Sequence, residues 1–388
     1  MIEIIENYFE SVYELYKNIV SISSESYDKE GIDNVLNTIA EFALKYGFKV
    51  EIFKNKNAGN ELVLTFNNES KEKPVVFLAH MDTVHKKGTF EKMFEEKDGK
   101  IYGPGVLDCK GGIAVALLTA LSLKKYGYSS FLRIVLVCDE EISMVLSGEK
   151  GRNFIIDNVK DASFVFTCES GTKDKIVVGR KGVTRYKVTV CGKSAHAGSD
   201  YDKGISAIRA ACLMIPELEK LSDINGITYN CGVIQGGKAP NIVPDLCEFI
   251  VDVRYLNNEQ MEKSEKTLKK ILNSVLSDGI SIKIDMISRR EAMEPTEQNL
   301  KLFERVKIIS EKLGYEKFTS IVPGGASDAA FSSAMGIPTL CGMGMTGKSQ
   351  HTLNETADKL SLKERSHILA DTVISLAVGE LSELASSP

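Results

Sequence analysis

The stretch Phe131–Glu141, FLRIVLVCDEE, reads as a strand buried on both faces that runs directly into three consecutive carboxylates, Asp139, Glu140 and Glu141. Such a strand has no solvent to stabilise that charge, so something positive is expected where it ends. Other short apolar runs finish in the same way: PVVFLAH ends at His80 and ASFVFTCE at Glu169. Helical patterns separate them. DNVLNTIAEFALKYG closes on Gly47, its expected C-cap, and GGIAVALLTALSLKKYG begins at Gly111. Strands alternating with helices predict an α/β fold with a mostly parallel sheet covered by helices. In such sheets ligands collect outside the carboxyl ends of the strands, where these ionisable residues sit.

The 388 residues are 43% hydrophobic and 26% charged, which supplies apolar material for one large core or two smaller ones. A formal net charge of −5 and the lack of a polybasic block argue against nucleic acid or an anionic membrane surface as partner. Residues 1–20 place Ile5, Phe9, Val12, Tyr16 and Ile19 at helical spacing, interrupted by four glutamates. That is an amphipathic helix and not a secretory signal. The longest apolar helix candidate, GGIAVALLTALSL, falls short of the roughly 20 residues a membrane span needs. Eight cysteines without a C-x-x-C pair suggest reduced thiols and a cytoplasmic location. Cys109, Cys138 and Cys168 lie within two residues of an acid. They read as small apolar fillers at strand ends, with oxidant-sensitive activity as the alternative.

After Gly179 the pattern changes. GVTRYKVTVCG, ITYNCGVIQGG, LCEFIVDVRY and ISIKIDMI read as strands, KGISAIRAACLMIPELEKL and NNEQMEKSEKTLKKILNSVL as helices. Their order, βαββαβ, is the ferredoxin-like arrangement, and the alternating pattern resumes after RREAMEP. The expected organisation is a discontinuous catalytic domain, residues 1–179 and 291–388, with a smaller domain inserted over 180–290.

The chain has five histidines, among them His80 in HMDTVH, His196 in GKSAHAG and His351 in SQHTLNE. The acids at strand ends or adjoining turns are Asp82, Asp108 in GPGVLDCKGG, Glu140, Glu141 and Glu169. Gathered at one sheet edge they would raise one another's pKa values or open the edge unless a cation is bound. One divalent ion needs three or four such ligands, and two ions sharing a bridging carboxylate use about five. Each piece alone has an ordinary explanation: a hydrogen-bonded structural histidine, a solvated pair of glutamates, a glycine turn. GPGVLD superficially matches a dinucleotide loop, but Asp108 stands where the third glycine belongs. The weight lies in H-x-D, D-x-K-G-G, D-E-E, C-E and H-x-x-N-E occurring in that order.

With those motifs the chain resembles the co-catalytic zinc peptidases and deacylases, the family of glutamate carboxypeptidase, aminoacylase, acetylornithine deacetylase, succinyl-diaminopimelate desuccinylase and peptidase T. The resemblance covers nearly the whole length and implies that the inserted domain serves as a lid and dimerisation domain. It implies two zinc ions per chain, with cobalt or manganese as substitutes: His80, Asp108 and Glu169 on one, Asp108, Glu141 and His351 on the other, and Asp108 bridging. It further implies that Asp82 orients His80, that Glu140 is the general base, and that His196 reaches the active site of the partner subunit in a homodimer. Asn241 and Arg254 are implied to bind the substrate's carboxylate, assisted by Lys175. In PGGASDAAFS, Gly324 and Gly325 would let backbone N–H groups approach the substrate, and Asp328 would begin the next helix. His85 and His367 are left structural.

The activity so implied is hydrolysis of an amide bond next to a free carboxylate, in short peptides or N-acyl amino acids. In this family glutamate at the position of Glu169 is associated with carboxypeptidases and acylases and aspartate with aminopeptidases. With Arg254 and the GGASDA segment this favours a glutamate-carboxypeptidase-like enzyme, with an N-acyl amino acid deacylase as the alternative. A non-catalytic binding protein on the same fold would be expected to have lost a ligand or the base, and none is missing here.

Overall fold

The computed structural model describes residues 1–274 and 278–377. Two compact units emerge: Met1–Gly179 with Pro295–Pro323 and the described residues from Ser327 onward, and Arg180–Glu294 with Gly324–Ala326.

The first unit is built on an eight-stranded sheet. Its strands run in the order Lys49–Phe53, Glu61–Phe66, Leu132–Val137, Val75–His80, Phe164–Thr167, Thr339–Cys341, Lys175–Val177 and Thr319–Ile321. Its centre is parallel, and the first two strands add antiparallel pairs at one edge. Val75–His80 is buried at every position, as a strand covered on both faces must be. Register then decides where the chemistry goes. His80 pairs with Val137 and Leu78 with Thr167, so the residues that follow these strands leave the sheet along one edge. Sequence reading did not anticipate the strand Glu61–Phe66, nor the small four-stranded sheet that pairs Ile101 with Ala357.

The helix Lys110–Tyr126 is buried all round, which its nearly unbroken apolar composition requires. It packs against the helices Ile2–Val20 and Lys359–Ala377. Gly127, at φ +91°, terminates it in the left-handed conformation that glycine adopts without penalty. Its first turn explains the Gly-Gly of DCKGG: a Cβ at Gly112 would lie 1.7 Å from the carbonyl oxygen of Cys168. The helix thus abuts the strand that delivers Glu169, at a distance only glycine permits.

The second unit holds a four-stranded antiparallel sheet in the order Thr228–Gly236, Leu246–Tyr255, Gly182–Cys191 and Ser281–Arg290. The helices Ala207–Glu219 and Asn258–Ser274 share its own core of Val188, Val190, Met214, Phe249, Val251 and Leu268. Ala207–Glu219 begins four residues later than its apolar pattern suggests, because the Ser206 side chain caps it by accepting from Arg209 N. The end expected for the other helix, at Val275 and Leu276, lies outside the described residues, as does the expected C-terminal domain beyond Ala377.

Candidate metal centre

The end of FLRIVLVCDEE turns sharply, and its three carboxylates part company. Asp139 folds back on the chain and accepts from Leu146 N (3.1 Å), Ser147 N (2.8 Å) and Ser147 Oγ (2.7 Å), so its charge is stabilised locally. Glu140 and Glu141 are held by Asp82: its Oδ1 accepts from Glu140 N at 3.1 Å and its Oδ2 from Glu141 N at 3.2 Å. Ser26 Oγ donates to the same Oδ2 at 2.6 Å. Asp82 is fully buried; its backbone carbonyl oxygen lies 3.0 Å from His80 Nδ1, and its carboxylate Oδ1 lies 3.3 Å from the same nitrogen. Asp82 therefore sets both an imidazole, through its carbonyl and carboxylate oxygens, and the turn that carries two acids.

His80, at the end of Val75–His80, turns its Nε2 toward Asp108 Oδ1 at 3.2 Å and Glu169 Oε2 at 3.9 Å. His351 Nε2 lies 3.1 Å from Asp108 Oδ2 and 3.2 Å from Glu141 Oε2. The two oxygens of Asp108 thus face two different histidines, each with a further glutamate beside it. All five candidate ligands of the sequence analysis come together.

The electrostatics are those of a crowded anionic pocket. Burial raises the carboxyl of Glu141 to about 7, partly offset by His351. Hydrogen bonds that it donates to the Asp108 and Glu141 carboxylates hold the His351 imidazolium up to about 11. Burial opposes charge on His80, yet the adjacent Cys109 sulfur and the Asp108 and Asp82 side chains keep its pKa well above the usual value. Burial also works against ionised Asp108, but His351 and His80 outweigh it and lower its pKa. One group stays unsatisfied: Glu141 Oε1 is buried without a hydrogen-bond partner. Two imidazoles and three carboxylates, with an orphaned oxygen among them, form a nitrogen and oxygen donor set that fits divalent cations. Glu140 belongs to neither close-packed ligand group found among the described residues, whereas His80, Asp108 and Glu141 form one and His80, Cys109 and Glu169 the other.

Cys109 is not a convincing ligand. Burial pushes its thiol up to about 12, and its Sγ donates to the Cys168 carbonyl oxygen at 3.1 Å. Cys138 and Cys168 are buried too, with pKa values raised chiefly by desolvation. Their burial is that of small apolar fillers at strand ends.

Of the remaining candidates, Lys175 is exposed at the start of the strand Lys175–Val177 in the first unit. His196, Asn241, Arg254, Gly324 and Gly325 belong to the second unit. Ala195–His196 pairs with Ile242–Val243, and Ala197 N donates to Asn241 O at 2.9 Å, so His196 and Asn241 are neighbours. His196 Nδ1 accepts from Gly198 N and Ser199 N, both at 3.1 Å, which leaves the proton of the neutral ring on Nε2. Arg254 is already engaged: Nε and Nη2 donate to Asp252 at 2.6 and 3.2 Å, and Nη1 donates to Gly324 O at 3.2 Å. Gly324 has no atom within 4 Å of where a Cβ would stand, so no neighbouring group requires glycine there. Asp328 does precede the helix Ala329–Ala334, but its side chain makes no capping hydrogen bond; Ser327 Oγ accepts from Ala329 N instead. His367 Nδ1 lies 3.0 Å from Tyr315 Oη.

A profile of peptidase family M20/M25/M40 matches residues 76–375. The chain belongs to that family. Its M20 relatives include carboxypeptidase G2 of Pseudomonas sp. (strain RS-16), 29% identical over 387 residues, covering 95% of this chain and 90% of that one. Succinyl-diaminopimelate desuccinylase of Rickettsia akari (strain Hartford) is 24% identical, covering 87% of this chain and 93% of its own. Among solved structures, the M20 metallo-carboxypeptidase Sso-CP2 of Sulfolobus solfataricus superposes with a TM-score of 0.75 at 18% identity, covering 94% of this chain and 98% of that one. Membership of M20 makes the chain a hydrolase of the peptidase and deacylase group, with the acid–histidine cluster as its candidate metal-binding residues. No helix among the described residues is long and apolar enough to cross a membrane.

Proposed function

We propose that the chain is a dinuclear metallohydrolase that cleaves an amide bond next to a free carboxylate, acting on short peptides or N-acyl amino acids in the manner of a glutamate carboxypeptidase. One observation carries this reading: the Asp108 carboxylate offers Oδ1 to the His80 side and Oδ2 to the His351 side, at 3.2 and 3.1 Å. In it, His80, Asp108 and Glu169 hold one ion, Asp108, Glu141 and His351 the other. Zinc suits this donor set, and cobalt or manganese can replace it. When bound, such ions supply positive charge that polarises the scissile carbonyl and lowers the pKa of water.

The chain's own residues do the rest. Glu140 is held by its backbone to Asp82 and takes a proton from the attacking water, then delivers it to the departing amine. His196, with its Nε2–H available, donates to the carbonyl oxygen as negative charge develops there, from the partner subunit of a homodimer. Asn241 and Arg254, with Lys175, bind the substrate carboxylate, and the backbone at Gly324 and Gly325 lies along the substrate. For Arg254 this requires sharing its guanidinium with Asp252. The second unit serves as the lid and dimerisation domain, and the enzyme works in the cytoplasm.

The carboxypeptidase G2 relative supports the peptidase form of this reading. A deacylase form is favoured by acetylornithine deacetylase of Myxococcus xanthus, 33% identical over 195 residues, covering 47% of this chain. The test is a panel of folate-type glutamates, dipeptides, acetylornithine and succinyl-diaminopimelate, run with wild type and Glu140→Gln. The peptidase form predicts turnover of the C-terminal glutamate amides, lost in Glu140→Gln while metal content stays near two per chain. Hydrolysis of succinyl-diaminopimelate alone would overturn it.

A further inference from the structure

Glu355 closes the motif SQHTLNE four residues beyond His351, yet its side chain is committed to a different segment. It is 1% exposed. Its Oε1 accepts from the backbone N–H groups of Leu107 (2.8 Å) and Asp108 (2.9 Å), and its Oε2 from that of Gly105 (3.1 Å). His85 Nε2 stands 3.2 Å from the same Oε2, and the His85 ring packs edge-on against Phe90. Four groups on one buried carboxylate use all the acceptor capacity it has. The turn it grips has little slack: Gly105 sits at φ +72°, and a Cβ there would press on Thr83 Cγ2 at 2.8 Å.

Glu355 therefore does for Asp108 what Asp82 does for Glu140 and Glu141. It satisfies the backbone amides of a ligand-bearing turn from beneath, and it does so from the segment that also carries His351. The two segments that face each other through the Asp108 oxygens are tied together a second time through their backbones. We infer that Glu355, oriented by His85, is a positioning residue of the metal centre. It fixes the Gly105–Asp108 turn so that Asp108 presents its two oxygens to opposite sides, and it sets the spacing of Asp108 from His351. This rests on the reading of Asp108 as a metal ligand. Partners of this kind typically change metal affinity or activity by about 10–100-fold. A carboxylate that merely filled space would affect stability and leave metal binding alone.

The experiment titrates Co2+ into chelator-stripped wild type, Glu355→Gln, His85→Ala and His85→Gln, followed by calorimetry and visible absorption. In Glu355→Gln one oxygen becomes an NH2 facing a backbone N–H. The expected result is binding about 10–100-fold weaker, with an altered visible spectrum. His85→Ala is expected to weaken binding by a smaller factor. His85→Gln, whose amide can still donate to Oε2, is expected to restore it. The metal-free His85 variants should melt within about 3 °C of wild type, which separates positioning from folding. Wild-type affinity and spectrum in Glu355→Gln would overturn the inference. If that variant does not fold, unchanged affinity in His85→Ala overturns it instead. Failure of the wild type to bind Co2+ would remove the metal-centre reading itself, an outcome distinct from equal binding by wild type and variants.

Discussion

On the proposed reading, loading metal into this cluster must expel protons from its histidines. Stripped by a chelator, the cluster keeps its carboxylates together by charging its histidines: the His351 imidazolium persists to about 11, and His80 is likewise raised. A metal ion needs the Nε2 lone pair of each ring, so both protons must leave. At pH 8 His351 alone supplies about one proton per chain, and His80, whose pKa is also raised, adds to it. Glu141, at about 7, is then nearly ionised; at pH 6 it is about nine-tenths protonated and contributes most of one more. Release should therefore rise by most of one proton per chain between pH 8 and pH 6, as Glu141 joins the histidines. The sign follows from linkage: protons bound only in the metal-free state make apparent affinity increase with pH. The assay is calorimetric titration of the stripped protein with Zn2+ in buffers of different ionisation enthalpy. Release below about half a proton per chain at pH 8, with no change at pH 6, would refute the reasoning.

Asp82→Ala leaves the buried amides of Glu140 and Glu141 and the Ser26 hydroxyl without their acceptor, so it should cost about 3–5 kcal/mol in urea unfolding and weaken metal retention; a midpoint equal to wild type would contradict this. Gly112→Ala drives a Cβ into the Cys168 carbonyl, where neither backbone can yield cheaply, and should destabilise by about 3 kcal/mol or more in the same assay. Glu61 is buried, its Oε2 has no hydrogen-bond partner, and desolvation pushes its carboxyl up to about 8. The folded state thus holds a proton the unfolded chain gives up near pH 4.5, and stability should fall as pH rises from there to 8, by up to about 1.4 kcal/mol per pH unit. Glu61→Gln should flatten that fall and melt higher than wild type at pH 8. Equal losses in both proteins between pH 5 and 8 would count against the assignment.

The residues legible in the sequence were those whose signal is local. His80 and Glu169 end continuous apolar strands, and Asp108 precedes a glycine pair that opens a fully buried helix. Their convergence follows from parallel register, which strand–helix alternation already implies. What stayed hidden depends on pairs far apart in the chain. Glu355 reads as the end of a polar loop, and its 247-residue separation from Asp108 gives no hint that it holds that residue's amide. Asp139 seems, in sequence, one of three equivalent acids, yet only the fold shows it turned away onto Ser147. The bidentate pairing of Arg254 with Asp252 was equally invisible, because residues two apart on a strand share a face without any requirement that they bond.

The most direct measurement is anomalous diffraction at the zinc edge from crystals of metal-replete protein. The account predicts two peaks per chain about 3.5–4 Å apart, one within reach of His80, Asp108 and Glu169, the other of Asp108, Glu141 and His351. A metal-replete crystal with no peak beside Asp108, or with its carboxylate bound to one ion only, would contradict it.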